Sequence, residues 1–282
     1  MNPSLSFRLQ GVSVRHADQR SGRPMALSGI DLAISQGEQV ALIGPSGAGK
    51  TTLLHTLAGA HRADAGSLHA LGQSEALWEM SSRERHALRR QLFLAPQSPP
   101  LPPRQRVVTA VLAARLPQWS LWQALRSLVR PAGTDVRLAF EALGRFNLQH
   151  KLYERVDRLS GGERQRCGMA RLLVSQARVF LVDEPLSALD PTLAGQTLRV
   201  LQQEAAARGA TLVCSLHQVD LALESFARIV GLRDGSIVFD LPRAEVTPAL
   251  IDTLYRQDGG ATPAPAASPV PALARVAAAR CY

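Results

Sequence analysis

The distribution of apolar positions along the chain predicts short buried strands that alternate with helices. Residues 39–44 (QVALIG) are nearly all apolar, and residues 179–185 (VFLVDEP) begin with four apolar residues, which is typical of strands buried on both faces of a sheet. Another buried strand is predicted at 210–217, and residues 228–240 predict a hairpin with an Asp-Gly turn. Strands of this kind, separated by helical segments, indicate an α/β fold with a mainly parallel sheet.

Two further regions extend this α/β core. The looser alternation of residues 7–14 and 29–34 predicts strands of an additional antiparallel β subdomain near the N-terminus. Residues 98–160 contain no good strand pattern, and we interpret them as a helical subdomain inserted between the two halves of the core. Helical patterns within it cover residues 105–116, 120–130 and 135–148.

Composition limits the class of protein. Hydrophobic residues make up 46% of the chain, which is enough for a globular core. No segment approaches the roughly 20 apolar residues of a membrane-spanning helix, and the first ten residues do not resemble a signal peptide, so we expect a cytosolic protein. Three widely spaced cysteines, Cys167, Cys214 and Cys281, suit reduced thiols. The Ala- and Pro-rich residues 257–282 predict a disordered tail.

The net charge of +9 is concentrated in one segment. Between Arg85 and Thr134 there are eight arginines and no acidic residue. Such a segment could face nucleic acid, anionic lipid or an acidic partner, although an ordinary solvated surface is the simpler interpretation of charge alone. Lysine is rare: only Lys50 and Lys151 occur among the 32 basic residues. A compact ammonium at Lys50, within a glycine-rich loop, suits a tight phosphate site.

The loop GPSGAGKT at residues 44–51 matches the phosphate-binding pattern G-x-x-x-x-G-K-[ST] in full. Its glycines let successive backbone N–H groups point into one concavity, and the following helix adds its positive end. Lys50 would reach the β and γ phosphates, and the Thr51 hydroxyl would ligate Mg²⁺. The alternative is a glycine-rich turn without a ligand, but the preceding buried strand favours the nucleotide site.

A second half of the site is predicted at the end of the strand 179–185. Asp183 emerges at the carboxyl end of that strand, where parallel sheets bind ligands, and would hold Mg²⁺ directly or through water. Glu184 is the candidate that polarises the attacking water. Two solvated carboxylates at a strand end are the alternative. The two motifs together indicate a P-loop NTPase without naming its class.

A third phosphate-binding feature follows at Ser160, Gly161 and Gly162, which open another predicted helix. Ser160 can cap this helix, with Glu163 completing a capping box. The free N–H groups at the same helix end would also bind a γ-phosphate. Because the first loop already encloses a nucleotide from one side, this helix end is best used on the nucleotide of another subunit.

The sequence resembles the ATPase subunits of ABC transporters. The segment LSGGE at 159–163 is similar to their signature motif, with Glu in place of the commoner Gln at its last position. Gln97 lies where the family has its Q-loop, the segment SALD at 187–190 resembles the D-loop, and His217 corresponds to the switch histidine. The resemblance covers residues 7–256.

This resemblance implies a homodimer that closes head to tail around two ATP molecules. Glu184 would be the general base, and His217 would contact the γ-phosphate. Gln97 would bind the metal or water, and Asp190 would communicate across the interface. The resemblance implies Thr51, Gln97 and Asp183 as Mg²⁺ ligands. ATP would be bound by one subunit through Gly44, Pro45, Ser46, Gly47, Ala48, Gly49, Lys50, Thr51 and Thr52, and by the other through Ser160, Gly161 and Gly162.

One position departs from the family pattern. The family stacks adenine on an aromatic residue in the first strand region, and this chain has His16 there. Histidine offers less stacking surface than Tyr or Trp. We expect His16 to stack on the base, and substitution by Ala to weaken ATP binding.

The absence of a fused membrane segment favours an importer with separate permease subunits and, indirectly, a periplasmic or extracellular solute-binding protein. Residues 116–126 (LPQWSLWQALR) resemble the Trp-containing insertion of phosphonate importer ATPases, although Trp119 and Trp122 could simply pack the helical subdomain. The expected location is the cytoplasmic face of the inner membrane, with no nucleic-acid partner. The alternatives are a soluble ABC-type ATPase that acts on nucleic acid or ribosomes, and an importer of a different solute.

Overall fold

The computed structural model describes residues 4–15, 25–129 and 131–256. Its strands, in chain order, are β1 (Leu5–Val14), β2 (Leu27–Ser35), β3 (Gln39–Ile43), β4 (Ala65–Ala70), β5 (Leu92–Ala95), β6 (Val179–Asp183), β7 (Thr211–Ser215), β8 (Arg228–Arg233) and β9 (Ser236–Pro242). Its α-helices are α1 (Lys50–Leu57), α2 (Ser82–Arg89), α3 (Val107–Leu112), α4 (Leu121–Val129), α5 (Gly133–Gly144), α6 (Gly161–Val174), α7 (Pro191–Arg208), α8 (Val219–Ser225) and α9 (Pro248–Tyr255).

The central sheet has six strands in the order β5-β6-β7-β3-β8-β9. The first five strands in this order are parallel to one another, and β9 runs antiparallel to β8. Alternate residues of β6 enter different hydrophobic clusters, with Phe180 and Val182 on one face and Val179 and Leu181 on the other. Because both faces are covered, an almost continuous apolar run is required, as the sequence predicts.

The N-terminal strands form a separate antiparallel sheet in the order β2-β1-β4. The backbone N–H of Ser28 donates to the carbonyl of Gly235, which fixes this sheet beside the β8–β9 hairpin. The prediction of an antiparallel subdomain is therefore confirmed. The sequence analysis missed β4, as it missed β5 and α2.

The inserted region is helical. Helix α3 is buried and packs against α6, which also contacts α5. Pro99 lies so close to Gly168 of α6 that an added Cβ there would come within 2.6 Å of the proline ring. The predicted fold class, a P-loop NTPase core with an antiparallel β subdomain and an inserted helical subdomain, is confirmed.

The two tryptophans of the insertion differ. Trp119 is partly buried against the core, and the Arg115 guanidinium lies 5.8 Å from its ring centre. Trp122 is 75% exposed on α4. Packing of the subdomain therefore explains Trp119 and leaves Trp122 without an explanation.

Candidate nucleotide-binding site

The site begins at the carboxyl end of β3, where the chain turns into α1. Gly44, Gly47 and Gly49 all have positive φ, at 150°, 82° and 102°. A Cβ on Gly44 would lie 2.0 Å from the Leu232 carbonyl oxygen, and one on Gly49 would lie 2.7 Å from that of Ala26. The loop path thus requires glycine at all three positions for its backbone conformation, and at Gly44 and Gly49 also for space.

Lys50 is the first residue of α1, and only 4% of it is exposed. Its ammonium donates to the carbonyl oxygens of Gly44, at 2.8 Å, and Pro45, at 3.1 Å. Burial lowers the pKa of Lys50, and the nearby carboxylates of Glu184 and Asp183 oppose that shift. The loop therefore holds a positive charge at a helix N-terminus, facing two acidic residues.

Asp183 ends β6 and is 2% exposed. Its carboxylate accepts a hydrogen bond of 2.6 Å from the hydroxyl of Ser215, which ends the neighbouring strand β7. The same hydroxyl accepts the backbone N–H of Glu184 at 2.9 Å. Ser215 therefore joins the two predicted carboxylates at the sheet edge, and the sequence analysis did not identify it.

Glu184 has a φ of +46°, which is unusual for a residue with a side chain. The Gln97 side-chain nitrogen lies 2.7 Å from one carboxylate oxygen, and His217 Nε2 lies 2.5 Å from the other. Its backbone carbonyl accepts a hydrogen bond of 3.1 Å from Gln165, a buried residue of α6. Contacts from three separate segments hold this strained residue in place.

The second glycine turn begins α6. The Ser160 hydroxyl accepts the backbone N–H of Glu163, and the Glu163 carboxylate accepts that of Ser160 at 2.7 Å, which completes a capping box. These hydrogen bonds, the one to the backbone of Ser160 above all, hold the pKa of Glu163 below its usual range. A Cβ on Gly162 would lie 3.0 Å from the Ala188 carbonyl oxygen, whereas one on Gly161 would meet no described atom within 4 Å. The turn is therefore packed on one side and open on the other.

The segment after Glu184 runs beside the second glycine turn, because Ala188 and Leu189 are the nearest neighbours of Gly162. Asp190 caps α7, because its carboxylate accepts the backbone N–H of Leu193 at 3.0 Å. A cavity of about 290 Å³ lies between this segment and residues 216–218, which follow β7, and Glu184, Leu189 and His217 are among the residues that line it. Several predicted site residues thus meet around Glu184, while His16 lies outside the described residues.

A further contact involves the C-terminal helix α9. The backbone N–H of Gly44 donates to the Tyr255 hydroxyl at 3.2 Å. Burial raises the pKa of Tyr255, and the hydrogen bond from Gly44 opposes this shift. Tyr255 lies more than 200 residues from the loop in sequence, so no local pattern identifies the contact.

The donors at this site are suited to Mg²⁺. Asp183 offers a carboxylate and Thr51 a hydroxyl, while Gln97 can offer Oε1 because its Nε2 donates to Glu184. Hard oxygen ligands of this kind are those that Mg²⁺ prefers. Asp183 is buried, and its carboxylate lies near enough to the Lys50 ammonium to act on the lysine's pKa.

Comparison with known proteins identifies the family, because the ABC transporter family matches residues 27–187, more than half of the chain. The chain belongs to the ABC transporter family. Its nucleotide-binding fold is that of an ABC ATPase, and such cassettes bind and hydrolyse ATP and work as dimers within transporter complexes.

Curated ABC relatives match most of the chain. Phosphonates import ATP-binding protein PhnC 2 of Albidiferax ferrireducens is 57% identical over 253 residues, which cover 90% of each chain. PhnC of Polaromonas sp. is 55% identical with the same coverage. PhnC 2 of Pseudomonas aeruginosa is 53% identical and covers 90% of this chain and 92% of its own.

Solved structures of ABC cassettes share the fold. A dimeric ATP-binding cassette in a post-hydrolysis state bound to ADP and Pi matches with a TM-score of 0.72 and 25% identity, over 84% of this chain and 98% of its own. A nucleotide-free cassette from an ABC transporter matches with a TM-score of 0.68 and 21% identity, over 89% and 94% of the two chains. Within residues 4–15, 25–129 and 131–256, no helix is long and apolar enough to cross a bilayer.

Proposed function

We propose that this chain is the ATP-hydrolysing subunit of an ABC importer for phosphonates. The observation that supports ATP hydrolysis is the cluster of Gln97, Glu184 and His217 at the end of β6. Asp183 lies at the same strand end, and both carboxylates oppose the lowering of the Lys50 pKa. The curated relatives named as phosphonate import proteins support the solute class.

In this proposal, Glu184 receives the proton of a water that attacks the γ-phosphorus of ATP. The bond from that phosphorus to the bridging β–γ oxygen breaks, and ADP leaves. Each Glu184 oxygen already has one partner, but a carboxylate oxygen can accept a second hydrogen bond from water. Gln97 and His217 fix the direction in which the carboxylate faces, which is the orienting role that a general base requires.

Lys50 and the N–H groups of the loop bind the β and γ phosphates in the proposed complex. The contacted residues run from Gly44 through Thr52, and His16 is proposed to stack on the adenine. Mg²⁺, held by Thr51, Gln97 and Asp183, would neutralise phosphate charge when bound. Ser160, Gly161 and Gly162 of the second subunit complete the γ-phosphate shell, and Asp190 lies at the subunit interface. The open side of Gly161 supports this arrangement.

The proposed partners are a permease in the membrane and, through it, a solute-binding protein outside the cell. This places the ATPase on the cytoplasmic face of the inner membrane. Exposed arginines of the helical subdomain are candidates for the permease contact: Arg106 lines a cavity of about 810 Å³ together with Arg155 and Arg158. Arg115 is a poorer candidate than its charge suggests, because it forms an ion pair of 3.2 Å with the half-buried Asp135.

Glu184→Gln tests the catalytic assignment. Loss of the base should lower the ATPase rate by about 10²–10⁴-fold while ATP binding persists, because the phosphate cradle is intact. Glu245→Gln is the matched control, because it removes an exposed carboxylate that is distant from Glu184 in the sequence. It should keep the ATPase rate of the wild type. Retained hydrolysis in Glu184→Gln would contradict the assignment.

Growth tests the solute. A strain that lacks this chain should fail on a phosphonate as its only phosphorus source and grow on inorganic phosphate. Restoration by the wild-type gene, but not by Glu184→Gln, is expected. Copurification with nucleic acid or ribosomes in place of membrane proteins would instead support the soluble ATPase.

A further inference from the structure

Helix α4 exposes three large apolar side chains to solvent. Leu121, Trp122 and Leu125 are 86%, 75% and 54% exposed, whereas the polar Ser127 is only 7% exposed. On a helix of 3.6 residues per turn the three apolar residues lie within an arc of about 100°. Large apolar side chains grouped in this way mark an interaction surface, unlike exposed apolar residues that occur singly.

The helix is held in this orientation by the chain on its N-terminal side. The Ser120 hydroxyl accepts the backbone N–H of Gln123, and the Gln123 side chain accepts that of Ser120 at 2.9 Å. Immediately before this cap, Gln118 donates to the carbonyl of Arg90, and Arg115 pairs with Asp135. The outward apolar arc therefore belongs to a helix that is capped and anchored to its subdomain.

The charge around this arc narrows the choice of partner. Arg126 is exposed on the same helix, about 40° beyond Trp122. The helix lies in the segment from Arg85 to Thr134, which has eight arginines and no acidic residue. An apolar arc with Trp and Leu, on a helix that carries arginine and no acidic residue of its own, is the pattern of a helix that lies in the interface of an anionic bilayer.

We propose that α4 binds the surface of an anionic lipid bilayer through Leu121, Trp122 and Leu125, with Arg126 at the headgroups. The inference rests on the proposed location of this ATPase at a membrane. It adds a direct lipid contact, which would orient the helical subdomain next to the membrane independently of the permease. The three exposed side chains suit shallow insertion and not a span.

The test measures binding of the purified chain to vesicles of phosphatidylcholine, with and without phosphatidylglycerol, by cosedimentation. The wild type should bind the anionic vesicles, and the binding should weaken as salt rises. Leu121→Gln/Leu125→Gln should bind about tenfold or more weakly, because two apolar side chains no longer enter the interface. Leu121→Met/Leu125→Met is the matched control, because Met resembles Gln in shape and helix propensity. It should bind within about twofold of the wild type, because Met is apolar and can still enter the interface.

Several results would overturn the proposal. Failure of the wild type to bind anionic vesicles would do so, as would equal binding by the Gln and Met pairs. Loss of self-association in the Gln pair alone, measured by sedimentation, would assign the face to a second copy of the chain. The vesicles contain no permease, so none of these results bears on the proposed ATPase and importer function, which the Glu184 and growth experiments test.

Discussion

The two glycine turns of the site both begin helices, but the chain surrounds them very differently. In the loop before α1, Cβ atoms on Gly44 and Gly49 would overlap carbonyl oxygens, and Lys50 is buried against the loop itself. In the turn before α6, Gly161 faces open space and the cap is made by the turn's own side chains. The first turn is thus enclosed by its own chain, and the second is open on one side, as the proposed contact with a second subunit requires.

The largest expected effect breaks the enclosed turn. Gly44→Ala places a methyl group 2.0 Å from the Leu232 carbonyl oxygen in a conformation that alanine rarely adopts. We expect the free energy of unfolding to fall by about 3–5 kcal/mol. Gly47→Ala is the control: its φ is also positive but its Cβ meets open space, so the loss should be about 1–2 kcal/mol. Equal losses in urea unfolding would show that the loop is not crowded.

The next prediction sharpens the comparison at the open turn. Gly161→Ala should raise the free energy of unfolding by about 0.5–1 kcal/mol, because alanine has the higher helix propensity and its Cβ would meet no described atom within 4 Å. The ATPase rate should nevertheless fall by about tenfold, because the added methyl group would meet the partner's nucleotide.

Gly133→Ala provides the matched control for this variant. Gly133 is likewise the first residue of a helix with open space at its Cβ. It should gain similar stability and keep its ATPase rate. If Gly161→Ala also kept its rate, the open side of the signature turn would have no role in hydrolysis.

A smaller effect is expected where α9 contacts the enclosed turn. Tyr255→Phe removes the acceptor of the Gly44 N–H, which should raise the KM for ATP by about two- to tenfold, the value of one hydrogen bond. Tyr153→Phe, at an exposed tyrosine of the helical subdomain, should leave KM unchanged. An unchanged KM in Tyr255→Phe would show that the loop keeps its conformation without α9.

The smallest effect concerns the cap of the open turn. The pKa of Glu163 is lowered in the folded chain, so its stabilisation is complete above the unfolded pKa and is lost as the pH falls through the folded pKa. At neutral pH, Glu163→Gln should lower the free energy of unfolding by about 0.5–1 kcal/mol. The difference should vanish in acid, and a difference that grew in acid would contradict the capping role.

The strongly patterned parts of this fold were predictable, and the weakly patterned parts were not. Strand β6 is buried on both faces, and its apolar run revealed it. Strand β4 has the sequence AGSLHA, without a β-branched residue, and forms only because β1 pairs with it. Strand β5 has four residues, too few to show a period.

The same division applies to the site. Lys50 and Asp183 belong to local motifs typical of a phosphate site, so the sequence alone predicts them. Ser215, Gln165 and Tyr255 act through contacts between distant segments, and only the folded chain brings these together. Ser215 did carry one signal, since a hydroxyl at the end of a buried strand is placed where parallel sheets bind ligands.

The central claim is that each ATP pocket joins the loop of one chain to the signature turn of another. Mixing Lys50→Ala with Ser160→Arg protomers, each inactive alone, forms heterodimers in which one pocket has both wild-type halves. The account predicts that the mixture regains ATPase activity, up to about a quarter of the wild-type rate for random pairing of independent pockets. The account would be contradicted if the mixture stayed inactive and the ATPase rate per wild-type protomer did not change with protein concentration.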